Sequence, residues 1–217
     1  MSHPINPLTA PAIHRRLKHI SYPAKNYFST LQRKTQIVLH HTAGGSAMSA
    51  INWWKTRNDG KGTIATPYVI ERDGTIYQLF NAFAWAHHLG VSGKPNLCRF
   101  SIGIELVCWG AIAESDIGKR VAVNEAVDYG FAGFKGSRFF QNYTAAQLES
   151  VSLLLPILSK FAGIPLVYSE NKLFSLSPDA LAGVPGLYTH VSYRQDKSDL
   201  HPQQELKEML MTACGGK

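Results

Sequence analysis

The stretch Gln36-Ile37-Val38-Leu39-His40-His41-Thr42-Ala43-Gly44-Gly45 organises the reading of this chain. Residues 36–40 form a compact apolar run closed by a histidine, and a Thr-Ala-Gly-Gly segment follows. Such a run, bounded by a turn, reads as a buried strand that carries His40 to its end. Far along the chain, Tyr188-Thr189-His190 stands shortly before Lys197-Ser198-Asp199. A strand-end histidine, a second on a distant loop and a nearby carboxylate can make a three-ligand zinc site with one open position. Structural zinc, by contrast, takes four protein ligands.

Outward from that strand, residues 46–55 read as a helix, with Ser46 as N-cap and Met48, Ile51 and Trp54 as its apolar stripe. Asn58-Asp59-Gly60-Lys61-Gly62 reads as a loop. Residues 67–72 and 75–80 flank Asp73-Gly74, a strong hairpin signal. Residues 101–108 read as a further strand. Alternation puts Ile102, Ile104 and Leu106 on one face and Ser101, Gly103 and Glu105 on the other. Residues 109–140 are glycine-rich and read as a long irregular surface excursion.

Thr144 followed three positions later by Gln147 is a capping-box start. Leu148, Val151, Leu155, Leu158 and Phe161 or Ala162 supply the stripe of a long helix, in which Pro156 predicts a kink or break. Residues 165–169 read as a short strand, 170–189 as irregular and 202–212 as a closing helix. The alternation of strands and helices predicts an α/β fold: one domain with a central mixed β-sheet flanked by helices. Residues 1–35, rich in Pro, Ser, Lys and Arg with little periodicity, read as an N-terminal arm packed on that domain. The body spans 36–205, and 206–217 is the end of the last helix and a tail.

The 217 residues are 45% apolar and 17% charged, which describes an ordinary globular protein with room for a real core. Net charge is +7 and the isoelectric point about 9.3. A basic surface favours polyanionic partners: nucleic acid, anionic lipid or an acidic cell-wall polymer. The densest basic cluster, His14-Arg15-Arg16-Leu17-Lys18-His19, is short and reads as a solvated face. Cys98, Cys108 and Cys214 are widely spaced with no CxxC pair, which excludes a cysteine zinc finger and argues against a disulfide framework. The odd count fits synthesis in a reducing cytoplasm. The start, Met1-Ser2-His3-Pro4-Ile5-Asn6-Pro7, lacks the apolar core of a signal peptide, and no stretch approaches a membrane span. The expectation is a protein made in the cytoplasm that reaches any outside substrate through other machinery.

Five segments carry a family resemblance: residues 37–44, residues 69–79, Ser101-Ile102-Gly103-Ile104-Glu105-Leu106, Tyr143-Thr144-Ala145-Ala146-Gln147-Leu148, and Thr189-His190 through Lys197-Ser198-Asp199. In this order, over roughly residues 35–205, they resemble the zinc-dependent type-2 N-acetylmuramoyl-L-alanine amidases, relatives of phage T7 lysozyme and the peptidoglycan recognition proteins. The resemblance implies a mixed sheet flanked by helices with zinc in a surface groove. It also implies hydrolysis of the amide between N-acetylmuramic acid and the L-alanine of the stem peptide.

By that match His40, His190 and Asp199 are the ligands of one Zn2+ per chain. Asp196 and His201 stand close enough to compete for the third place, and Asp199 is preferred because Lys197 precedes it by two. His41 matches a variable position and reads as a supporting or core-facing histidine. Lys197 is the candidate oxyanion partner and Glu105 the candidate proton carrier, its alternative being a carboxylate that orients a ligand histidine. Ala84-Trp85-Ala86-His87-His88-Leu89-Gly90 resembles the family's segment beside the groove, which makes His88, Trp85 and the loop residue Asn96 substrate-contact candidates. A tyrosine-assisted mechanism is not expected, because Thr66-Pro67 precede Tyr68, which reads as packing.

The implied partner is peptidoglycan or its muropeptides, acted on at the cell wall by a monomer, with no nucleic acid and no membrane insertion. A phage lysin or exported effector is the favoured setting. The alternatives are a catalytically silent peptidoglycan-binding module and a cytoplasmic muropeptide-recycling amidase.

Overall fold

The computed structural model describes residues 11–57 and 63–215, so the calls on the N-terminal seven residues and on the loop at 58–62 lie outside the described residues. In chain order the elements are α1 (Pro11–His14), β1 (Leu17–His19), β2 (Gln36–His41), α2 (Ala47–Thr56), β3 (Tyr68–Ile70) and β4 (Ile76–Gln78). Then come α3 (Pro95–Arg99), β5 (Ser101–Leu106), β6 (Ala111–Ile112), β7 (Ala126–Asp128), β8 (Phe139–Gln141) and α4 (Ala145–Ala162). The chain closes with α5 (Glu170–Phe174), α6 (Pro178–Leu181), β9 (Gly186–Thr189) and α7 (Gln204–Ala213). No helix among the described residues is long and apolar enough to cross a membrane.

Six strands form one mixed sheet in the order β1-β4-β3-β5-β2-β9. Every neighbouring pair is parallel except the hairpin β3–β4. Interior parallel strands are covered on both faces, which is why β2 and β5 are buried along nearly their whole length. On one face Ile37, Leu39, Ile102, Ile104 and Leu106 pack with Leu148, Val151, Leu155 and Leu158 of α4 and Leu206 and Leu210 of α7. On the other, Ile51 and Trp54 of α2 pack with Val69 and Val107, and Val38 packs with Leu89 and Tyr188.

Local chemistry sets the element boundaries. Ser46 accepts the Ser49 backbone N–H at 3.2 Å and starts α2. Ala47, Ile51 and Trp54 form its buried stripe, while Met48 is exposed, one position off the expected face. In the hairpin turn Gly74 adopts φ 84°, and Asp73 accepts the Thr75 N–H at 2.8 Å. The capping box on α4 is complete, with Thr144 Oγ1 accepting from Gln147 N and Gln147 Oε1 accepting from Thr144 N. Gln147 also donates to the carbonyls of Ile70 and Val107, which ties the helix start to the sheet.

Four expectations need correction. Pro156 does not end α4, which runs unbroken from Ala145 to Ala162. The proline lies on the exposed side of the helix, where water can serve the carbonyl whose partner is missing. The excursion after β5 is not irregular: β6, β8 and β7 form a small antiparallel sheet around fully buried Phe140. Residues 165–169 pair with no strand. Residues 170–189 hold α5, α6 and β9 rather than a loop. The described part of the arm is integral to the core. Ile13 is fully buried, and β1 adds an edge strand beside β4.

Candidate metal centre

The pairing of three parallel strands assembles the site. His40 lies opposite Glu105 across β2–β5, and the β2–β9 register ends at Leu39–Thr189, so the next residues are His40 and His190. Glu105, His40 and His190 therefore stand abreast at the carboxyl ends of adjacent strands, where open α/β sheets place their ligands. The His40 and His190 ring centroids are 4.7 Å apart. Asp199 returns to them on the loop after β9, held by a bond from Val191 N to its carbonyl.

Asp199 Oδ2 lies 2.8 Å from His190 Nδ1 and 3.3 Å from His40 Nδ1. One donor atom from each of these buried residues falls within 4.8 Å of the others. His190 Nε2 is 2.8 Å from the Leu89 carbonyl oxygen, which can only accept, so that nitrogen carries a hydrogen and Nδ1 is the ring atom turned toward Asp199. Burial, reinforced by His190, pushes His40 down to about 4 even though Asp199 pulls the other way. Burial alone would raise the Asp199 carboxyl, but His190 and His40 overcome it and hold the group well below the carboxylate range. Two imidazoles and a carboxylate, with one ligating atom of each brought together, form a donor set that suits zinc.

The two competing third ligands are committed elsewhere. Asp196 is exposed and bidentate to Arg194, at 2.9 and 2.6 Å. His201 bonds the Gln141 carbonyl through Nε2 and Tyr129 Oη through Nδ1. His41 points away from the centre and bonds Tyr143 Oη at 2.9 Å. Tyr68 is fully buried in the core.

Glu105 is nearly enclosed, and its Oε2 has no partner. Burial pushes its carboxyl well above the usual range. Asp199 adds to that rise and Lys197 opposes it. Lys197 lines a groove of about 530 Å³ together with His190 and His88. The groove wall also carries Arg57, His87 and Arg194; His87 and Arg194 fall within quoted motif segments but were given no role there, and Arg57 lies in none.

The substrate-contact candidates are dispersed. His88 reaches the groove, but both its ring nitrogens are engaged, one 2.9 Å from His40 Nε2 and the other 2.8 Å from Ser101 Oγ. Trp85 stacks on Phe28 at 4.0 Å and edge-on against His87, one layer behind the groove lining. Asn96 lies exposed in α3, beside the groove residue Pro95.

The fold has solved counterparts. The chain is similar to the endolysin N-acetylmuramoyl-L-alanine amidase LysCS from Clostridium intestinale URNW, with 17% identity over 93% of this chain and 96% of that one, TM-score 0.56. It is similar to PlyL, with 17% identity over 93% and 98% of the two chains, TM-score 0.54. A mutant endolysin from Bacillus subtilis shares 16% identity over 92% and 98%, TM-score 0.53. At such identities the likeness concerns the fold. No curated protein matches the chain. The family model described as N-acetylmuramoyl-L-alanine amidase matches residues 31–202, a span that includes His40, Glu105, His190, Lys197 and Asp199. The chain belongs to the N-acetylmuramoyl-L-alanine amidase family.

Proposed function

We propose that this chain is a zinc hydrolase that cleaves the amide between N-acetylmuramic acid and L-alanine in peptidoglycan, with His40, His190 and Asp199 as the metal ligands. The observation that carries the reading is the convergence of three buried ligand atoms within 4.8 Å, inside the span matched by the family model. Zinc held there supplies an acidified water, its pKa lowered to about 7, and a Lewis acid for the scissile carbonyl.

The chain's own residues do the rest. Lys197, in the groove wall beside His190, offers a positive charge to the oxygen that becomes negative as the carbonyl turns tetrahedral. Glu105 has an unpartnered oxygen and a strong preference for its proton. It is the group that moves a proton between the attacking water and the leaving nitrogen. Lys197 also steadies the Glu105 carboxylate whenever that proton is away. The net charge of +7 favours approach to an anionic wall, in keeping with a monomeric lysin or exported effector.

Mass spectrometry of purified peptidoglycan, digested by the zinc-loaded protein beside a chelated control, tests the reading. Stem peptides with a free L-alanine amino terminus, absent from the control, are the expected product. Undigested murein in both samples, with zinc bound, would favour a silent binding module or an amidase restricted to released fragments.

A further inference from the structure

We propose that the groove takes the saccharide arm of its substrate at the Ile64–His87 end, where Phe28 of the N-terminal arm and Trp53 of α2 hold a further sugar of the same glycan strand. The proposal rests on the amidase reading above and names the form of its substrate, a strand of linked sugars rather than a single-sugar fragment.

Consecutive residues from His87 to Gly90 give the groove its direction. His87 pairs with the segment around Ile64: its N–H donates to the Thr63 carbonyl at 2.9 Å, and its carbonyl accepts from Ala65 N at 3.3 Å. The His88 ring is 2.9 Å from His40, the Leu89 carbonyl 2.8 Å from His190, and the Gly90 carbonyl 3.3 Å from Arg194. The metal centre therefore lies midway, with Ile64 and His87 lining one end of the groove and Arg194 the other. The bond to be cut joins a sugar to a peptide, so the two arms of the substrate leave the centre toward different ends.

Aromatic rings gather at the Ile64–His87 end. His87 meets the Trp85 ring edge-on at 5.5 Å and the Phe28 ring edge-on at 5.8 Å. Phe28 stacks on Trp85 at 4.0 Å and still leaves 38% of its surface to solvent. Backbone bonds in both directions between Phe28 and Trp85 fix the arm in this place. Asn26 Nδ2 donates to the Trp54 carbonyl at 3.1 Å, which ties the same arm to the end of α2. There Trp53 is 56% exposed, and Arg57, a groove residue, lays its guanidinium 4.5 Å over the Trp53 ring. Neither Phe28 nor Trp53 belongs to the packed core. A pyranose presents a face of C–H groups to the negative face of an aromatic ring, while its hydroxyl and acetamide oxygens accept from a guanidinium. The other end is polar, with the Arg194 guanidinium held by Asp196 and the Gly90 carbonyl. The sugar therefore takes the aromatic end. The family model begins at residue 31, so Phe28 is an addition of this chain's own arm.

The test gives the zinc-loaded full chain two substrates with the same stem peptide, one on a single N-acetylmuramic acid and one on a four-sugar strand. The unsubstituted protein should favour the four-sugar substrate in kcat/KM. Phe28→Ala and Trp53→Ala should each raise KM for that substrate about 5–10-fold, with kcat kept and the single-sugar substrate unaffected. Phe28→Tyr keeps the ring and should restore the low KM. Equal kcat/KM on the two substrates would overturn the proposal, as would variants that slow both substrates alike. If neither substrate is cleaved, the amidase reading fails instead. The sugar site is then decided on the metal-free protein by titration with chitotetraose, a neutral N-acetylglucosamine tetramer. Shifts of the Trp53 and Trp85 indole 1H–15N signals support it, and unmoved signals overturn it. The exposed Trp53 decides the matter if Phe28→Ala does not fold.

Discussion

Glu105 stands directly opposite His40 in the parallel pairing of β5 with β2, so the proposed proton carrier and the proposed first metal ligand are one strand apart. The carboxyl is buried within electrostatic reach of Asp199, with one oxygen unpartnered. Glu105→Gln keeps the shape and removes the titratable proton. Turnover should fall about 10²–10⁴-fold, the usual span for general acid–base catalysis. Zinc content and thermal midpoint should hold. Steady-state kinetics beside metal analysis checks this, and unchanged turnover would reduce Glu105 to a structural carboxyl.

Lys197 lines the groove without being one of the three converging donors. Lys197→Ala should therefore retain one zinc per chain and lose about 10²–10³-fold in kcat, the scale of a lost oxyanion donor. Loss of zinc in this variant would show that the lysine acts through the metal site.

His190→Ala removes one donor and leaves Asp199 facing a single imidazole. Bound zinc and turnover should disappear together. In the unsubstituted protein, zinc at 100 times its dissociation constant should stabilise the fold by about 2.7 kcal/mol. For a chain of this length that raises the thermal midpoint by roughly 5–10 °C. Calorimetry with and without chelator should show this rise, and His190→Ala should lack it.

The metal-free protein should weaken in acid. His40 is held down to about 4 and His201 to about 3, both chiefly by burial. Between those values and their unfolded value near 6.5 the unfolded chain binds more protons, so stability falls as pH drops through that window. The depression of His40 alone corresponds to about 3 kcal/mol. Denaturant titrations of the apo protein from pH 7 to pH 4 measure the slope. A flat profile would mean either that these histidines accept protons within the fold or that proton uptake by the raised Glu105 carboxyl, which runs the other way, offsets them.

The readings that held are local ones. The Asp-Gly hairpin, the Ser46 cap and the Thr144–Gln147 box depend on residues a few positions apart, whose backbone chemistry acts before any tertiary contact forms. The small sheet after β5 was not legible, because β6, β7 and β8 are two or three residues long and show no period. Residues 165–169 have strand composition but no neighbour to bond, and composition alone does not make a ladder. Met48 shows the limit of a stripe drawn from spacing, since the face that buries is set by what α2 meets.

By itself the sequence determined the buried strand ending at His40, the order of the family motifs and hence the candidate donors. Motif order survives in the chain whatever its shape. Only the tertiary structure decided that Asp199 rather than Asp196 or His201 faces the two imidazoles, because each rival is tied to a partner that sequence proximity does not reveal. It also engaged both ring nitrogens of His88 at the groove wall, one against His40 and the other against a serine 13 positions away on β5. Hydrogen-bond direction depends on which atoms meet in space, and that meeting is made by the parallel register of β2, β5 and β9.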